Sequence, residues 1–298
     1  MPLFSKKAPE PKKQTFVIAG LTVNVYSQPK ATKPNAPVAI AFLLHGRNGS
    51  ALRMEEFMLG IFDGIHARRA KHSGDAQDLY IVTLDHRNHG KRLVEKQANQ
   101  GWFDDPTQNN ERHAIDMYAI QTGTAQDVSY LIDFLPSYLF PNEERTISQF
   151  LCIGKSLGGH ATWIVLRNEP RIKIAVPIIA CPDYLALMSR RARSHKLPVG
   201  PPYFPASLLA LIARADPCTA PYTAPDASNP FHGKKILVLS GQDDKKVPWT
   251  SAQAFVEGLD VGPQGVKEVI VEPGVGHEFS AAMVKECARF VWDHALVA

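Results

Sequence analysis

The chain has 298 residues, 45% of them hydrophobic and 21% charged, and a formal net charge of +4. That is the balance of an ordinary globular protein with a sizeable core, and its lysines form no block dense enough for nucleic acid or a membrane surface. No run approaches the ~18 apolar residues of a membrane span, and the start lacks the apolar stretch of a signal peptide.

The opening MPLFSKKAPEPKK carries two lysine pairs among prolines and reads as a flexible tail over residues 1–14. A single domain is expected over 15–298, because no Gly/Ser or charged linker divides the chain. Phe16–Ile18 and Leu21–Tyr26, separated by Ala19-Gly20, predict a hairpin. Short apolar, β-branched runs follow at Val38–Leu44, Leu79–Leu84, Phe150–Ile153, Ile172–Ala180, Lys235–Ser240 and Glu268–Val271. Several are apolar almost throughout, as strands buried on both faces of a parallel sheet must be. Pro177 is a misfit in such a strand, because it has no ladder donor.

Helices are predicted over Ala125–Leu135, Gly158–Arg167, Thr250–Leu259 and Phe279–Ala295, the first on the spacing of Val128, Leu131, Ile132 and Leu135. Strand–helix alternation predicts an α/β fold, a doubly wound, mostly parallel sheet covered on both faces. Two segments interrupt the rhythm. Residues 91–121 are polar around Gly101-Trp102-Phe103-Asp104-Asp105-Pro106, and 182–233 are rich in proline. A long insertion between strands usually has a function, and the second is read as a small Pro-rich lid.

Gly154-Lys155-Ser156-Leu157-Gly158-Gly159 fits G-x-S-x-G between a predicted strand and a predicted helix. A tight turn there exposes the serine hydroxyl, and flanking glycines remove side chains that would collide. A serine needs a base. Of the 11 histidines, His277 stands in the loop after the last strand, where ligands meet a parallel sheet. The base needs a carboxylate to fix its tautomer. Asp244 lies at the end of the strand Lys235–Ser240, with Asp243 adjacent and Asp183 more distant as rivals. Ser, Asp, His is then the chain order. The backbone N–H groups of Leu157 and of Arg47, in His45-Gly46-Arg47-Asn48-Gly49-Ser50, are the expected oxyanion donors. The Arg47 side chain reads equally as a contact for a substrate carboxylate or as a surface arginine.

The motifs HGRNGS at 45–50, DHRNHG at 85–90, GKSLGG at 154–159, GQDDKKVP at 241–248 and GVGH at 274–277 together resemble the α/β-hydrolase superfamily, in its serine esterase- and lipase-like branch with a lid insertion. The resemblance covers nearly the whole chain after about residue 14. It implies that Asp244, fourth in G-x-x-D-x-x-V-P, is the acid. It also implies that the D-x-R-x-x-G turn is structural, so Arg87 and His89 take no catalytic part.

The expected function is hydrolysis of a carboxylic ester, thioester or lactone of a small soluble substrate, with Ser156, His277 and Asp244 catalytic and no cofactor required. The four cysteines, Cys152, Cys181, Cys218 and Cys287, have neither disulfide nor metal-ligand spacing. Free thiols point to the cytoplasm. The alternatives are a serine peptidase or amidase on small peptides, and a non-catalytic binding protein on the same fold. Trp102, Phe103, Tyr184, Tyr203, Phe204 and Tyr222 are candidate pocket walls. Nothing in the sequence sets the oligomeric state.

Overall fold

The computed structural model describes residues 8–28 and 36–297. Eight strands form one sheet: β1 (Lys12–Ile18), β2 (Leu21–Ser27), β3 (Val38–Leu44), β4 (Asp78–Leu84), β5 (Ile147–Lys155), β6 (Ile172–Ile178), β7 (Lys235–Gly241) and β8 (Val266–Glu272). Their spatial order is β1-β2-β4-β3-β5-β6-β7-β8. β2 runs antiparallel to both β1 and β4, and all other neighbours are parallel. The β1–β2 turn places Ala19 and Gly20 at φ of 45° and 84°, the pair of positive values that a two-residue hairpin demands.

Every residue of β3 is buried, as the centre of a doubly covered sheet requires. Ile40, Phe42 and Leu44 point to one core, with α2 (His113–Leu139), α3 (Leu157–Asn168) and α6 (Gln253–Gly258). Ala39, Ala41 and Leu43 point to the other, with α1 (Glu55–Arg69) and α7 (Ala281–Val291). This is the period of two expected of a strand.

Pro177 sits in β6 opposite Gly154 of β5. Ile179 N–H donates to Leu239 O, so the donor that Pro177 lacks would face β7. There the registered pairs skip from Ala175↔Ile236 to Ile178↔Leu239. The proline is tolerated because the ladder is already open at that point.

Several expectations are corrected. Of the tail predicted over 1–14, residues 1–7 lie outside those described, but Ala8 N–H donates to Asp63 Oδ1 at 2.9 Å and Lys12–Gln14 already pair with Ser27–Val25. Helix α1 was not expected at all. Its buried Met58, Ile61, Phe62 and Ile65 have helical spacing, but Gly60 and Gly64 interrupt the run. Those glycines let α7 approach: a Cβ at Gly60 would lie 2.8 Å from Val284 Cγ1, and one at Gly64 2.6 Å from Ala288 Cβ. Helix α2 begins at His113, so the end of the polar 91–121 segment is helical.

The 182–233 segment contains α4 (Tyr184–Ser194) and α5 (Ala206–Ala215). Together with Trp102, Tyr118 and Leu157 they bury a third apolar cluster on the side of the sheet where β5 ends. The two interruptions of the strand–helix rhythm therefore pack on each other. Of the expected pocket walls, Trp102, Tyr184, Tyr203 and Phe204 belong to this cluster. Tyr222 packs on Phe255, with ring centroids 4.3 Å apart.

Gly64→Leu should separate α1 from α7. A loss of about 1–3 kcal/mol is expected in urea unfolding, with little change in the far-ultraviolet circular dichroism of the folded state.

Candidate active site

Ser156 stands between β5 and α3 with φ of 54° and ψ of −112°, a backbone region that costs a non-glycine residue ~1–3 kcal/mol. The surrounding structure fixes the conformation. Ser156 N–H donates to Ile178 O at 2.8 Å, and Ser156 O accepts from His160 N–H at 2.9 Å. A Cβ at Gly158 would lie 2.5 Å from Leu44 O, one at Gly159 2.6 Å from Ala180 Cβ, and one at Gly154 would strike Gly158 O. The turn closes only because these positions have no side chain.

The loop after β3 is held beside the serine by two buried histidines. Gly158 N–H donates to His45 O at 3.0 Å, and His86 Nε2 lies 2.7 Å from the same carbonyl. A carbonyl only accepts, so His86 carries its proton on Nε2, and its Nδ1 accepts from Thr124 Oγ1 at 2.8 Å. His45 Nε2 accepts from His86 N–H at 3.0 Å, which puts the His45 proton on Nδ1, facing Gly46 O at 2.8 Å. Both rings are neutral: burial pushes His45 down to about 4 and holds His86 well below the ordinary histidine value. A side chain at Gly46 would stand 3.5 Å from Ser156 Cβ, so Arg47 follows a close approach to the serine. Leu157 opens α3, where an N–H has no intrahelical acceptor.

His277 comes from the loop between β8 and α7. A Cβ at Gly241, the last residue of β7, would collide with the carbonyls of Val275 and Gly276. Its absence brings that loop onto the end of β7, where Asp243 N–H donates to Val275 O at 2.9 Å. The result is a continuous relay. Ser156 Oγ lies 2.8 Å from His277 Nε2, and His277 Nδ1 lies 2.7 Å from Asp244 Oδ2. Asp244 Oδ1 accepts from the N–H groups of Lys246 and Val247 at 2.8 and 2.9 Å.

Of the three rival carboxylates, Asp244 is the one in hydrogen-bond contact with His277. Asp243 is exposed, and Asp183 caps α4 by accepting from Ala186 N–H at 2.8 Å. Burial raises the Asp244 pKa, but the hydrogen bonds from His277 and from the Val247 and Lys246 N–H groups outweigh it, leaving the carboxyl below its ordinary value.

The serine and histidine open on a cavity of about 400 Å³. His160, Met117, Phe57, Lys155 and Arg191 also line it, and none of them was singled out in the sequence. A second cavity of about 410 Å³ shares Arg47, Arg191 and Lys246 with the first and is walled by Trp102 and Phe103. Arg87 pairs with Asp127 at 3.0 Å, and His89 packs on the His45 ring.

Asp183, Asp216 and Cys218 offer ligand atoms within 4.8 Å of one another, a cluster that sequence spacing did not reveal. Several of their donors and acceptors are engaged within the protein. Asp216 Oδ2 accepts from Tyr184 N–H at 2.9 Å and from Cys218 Sγ at 3.2 Å, and burial raises Asp216 to about 7.

No protein-family model and no curated protein matches the sequence. Solved structures do. TT1662 from Thermus thermophilus has a TM-score of 0.66 at 21% identity, covering 96% of this chain and 100% of that one. The acylaminoacyl peptidase of Pyrococcus horikoshii has a TM-score of 0.58 at 13% identity, covering 97% of this chain but 41% of the peptidase. An S-formylglutathione hydrolase from Agrobacterium tumefaciens has a TM-score of 0.55 at 16% identity, covering 95% and 94%. With this sheet order and these covering helices, the chain has the α/β-hydrolase fold. Among the described residues no helix is long and apolar enough to cross a membrane.

The native pKa of Asp244 is lowered, so its charge stabilises the fold above the ordinary carboxyl value, and that contribution is lost as pH falls through the native one. Asp244→Asn should cost about 1–3 kcal/mol at pH 7, measured by urea unfolding. The gap to the wild type should narrow at pH 3, and an equal gap at both pH values would contradict the assignment.

Proposed function

We propose that the chain is a serine hydrolase that cleaves a carboxylic ester, thioester or lactone of a small substrate through an acyl-enzyme. The observation that carries this reading is the unbroken hydrogen-bond relay from Ser156 Oγ through His277 to the buried Asp244, at the wall of a cavity. In this reading Ser156 Oγ attacks the carbonyl carbon while His277 Nε2 takes its proton. Asp244 keeps the His277 proton on Nδ1 and balances the imidazolium as it forms. The N–H groups of Leu157 and Arg47 hold the developing oxyanion. Collapse of the tetrahedral intermediate breaks the bond to the leaving oxygen or sulfur, which receives the proton from His277. A water activated by the same ring then releases the acid. No step draws on a redox or group-carrying cofactor.

Helices α4 and α5 act as a lid over the site in this account, joined to the 91–121 segment through their shared apolar cluster. All four cysteines are free, which favours work in a reducing compartment such as the cytoplasm.

Cleavage of small peptides or amides is the second reading, favoured by the similarity to an acylaminoacyl peptidase. The chain spans 41% of that enzyme.

Across p-nitrophenyl esters from acetate to palmitate, wild-type turnover should favour short acyl chains. Ser156→Ala should lower it by on the order of 10³–10⁶-fold without lowering the melting temperature. Turnover of an aminoacyl p-nitroanilide but of no ester would favour the peptidase reading.

A further inference from the structure

The walls of the cavity at Ser156 are unevenly charged. Arg47, Arg53, Lys155, Arg191 and Lys246 line it, and among the described residues Glu56 is its one acidic lining residue. Burial lowers the Lys155 pKa against the favourable charges of Glu56 and Glu278, and the most sheltered of the cations are the two arginines Arg47 and Arg191. Arg47 comes from the β3–α1 loop. Its Nη1 donates to Asn99 O at 3.2 Å, a neutral partner. Arg191 comes from α4, with Nη1 2.9 Å from His113 Nε2 and Nη2 donating to Lys246 O at 3.2 Å, again neutral partners. His113 is held neutral by burial and by the two nearby guanidinium groups, Arg191 and Arg47. It thus positions Arg191 without cancelling its charge.

Two other half-buried arginines are paired with carboxylates. Arg145 meets Asp78 at 2.7 Å and Arg92 meets Asp127 at 2.7 Å. Among the described residues, neither Arg47 nor Arg191 has a carboxylate within 4.0 Å. Both are nevertheless withdrawn from water. Burial, and then the charge of Arg191, pushes Arg47 down to about 10, and burial also lowers Arg191. Two sheltered guanidinium groups with no described carboxylate in ion-pair contact, Arg191 feeling the charge of Asp244 only from beyond that distance, are a costly arrangement. A bound anion would relieve it, and the fork of a guanidinium matches a carboxylate or phosphate. The second cavity continues this character, with Arg190 and Lys245 added to the shared residues.

We infer that the substrate carries an anionic group, a carboxylate or a phosphate, seated between Arg47 and Arg191 beside Ser156. That this anion belongs to a hydrolysed ester rests on the proposed function; the anion site itself does not. The two guanidinium groups then select and orient the substrate, fixing which carbonyl meets the serine. A neutral ester of the same length leaves both charges uncompensated and is the poorer substrate.

The test compares p-nitrophenyl hydrogen adipate with p-nitrophenyl hexanoate, which have equal acyl length and differ in the terminal carboxylate. Values of kcat/KM are measured on the wild type, Arg191→Met and Arg191→Lys, with melting temperatures to establish folding. The wild type should prefer the anionic ester by about tenfold or more. Arg191→Met should erase that preference, and Arg191→Lys should keep part of it. In parallel, calorimetry on Ser156→Ala follows the binding of monomethyl adipate, methyl phosphate and neutral dimethyl adipate. The two anions should bind more tightly than the diester, and the tighter of them identifies carboxylate or phosphate as the group held. If no ester is turned over but an anion binds in a way that Arg191→Met abolishes, the anion site stands and the hydrolase reading falls. Equal turnover of both esters, a preference that survives in folded Arg191→Met, or no binding of either anion would overturn the inference.

Discussion

The site depends on one constraint, the turn that carries Ser156. A residue with a side chain is held at φ of 54° where β5 gives way to α3, and the chain can make that corner only if its neighbours vanish. Gly154, Gly158 and Gly159 each occupy a position where a Cβ would collide with backbone or with Ala180. The same closeness delivers Gly158 N–H to His45 O, which ties the turn to the loop after β3. That loop is in turn locked by the neutral His45–His86 pair. Strain at the serine is thus balanced by contacts on both sides, and a substitution at any of the three glycines acts on the site and on the core together.

A second set of close approaches brings the relay to the serine. β7 and β8 are parallel neighbours, and the bare Cα of Gly241 lets the 275–276 backbone settle over the end of β7. Asp244 is buried beneath the loop with both oxygens engaged, and His277 spans the gap between it and Ser156. The sheet supplies the rigid frame, and three loops at the carboxyl ends of β5, β7 and β8 supply the groups. This is where ligands meet an open parallel sheet.

Much of this was legible in the sequence because it is local. Runs such as Val38–Leu44 are apolar on both faces and so declare a central strand. The letters around Ser156 and His277 declare turns. What the sequence left open was decided by packing between distant segments. Asp243 and Asp244 are adjacent and chemically identical, and only the turn after Gly241 decides which faces inward. Helix α1 was hidden because Gly60 and Gly64 break its apolar stripe, and they are glycines to admit Val284 and Ala288. Lys12–Gln14 look like tail because β1 is an edge strand with polar, exposed faces, a common device against edge-to-edge pairing. Arg191 lies in a run of basic residues on an amphipathic helix, which in one dimension reads as a solvated face. Its shelter comes from His113 and Lys246, 78 and 55 residues away.

The most direct test of the central claim is chemical trapping of the nucleophile. The wild type is treated with a fluorophosphonate, and the adduct is located by mass spectrometry of peptides. The account predicts one adduct, on Ser156, with labelling slowed when His277 is replaced by alanine. Labelling that spares Ser156, or that proceeds at an unchanged rate in His277→Ala, would contradict it.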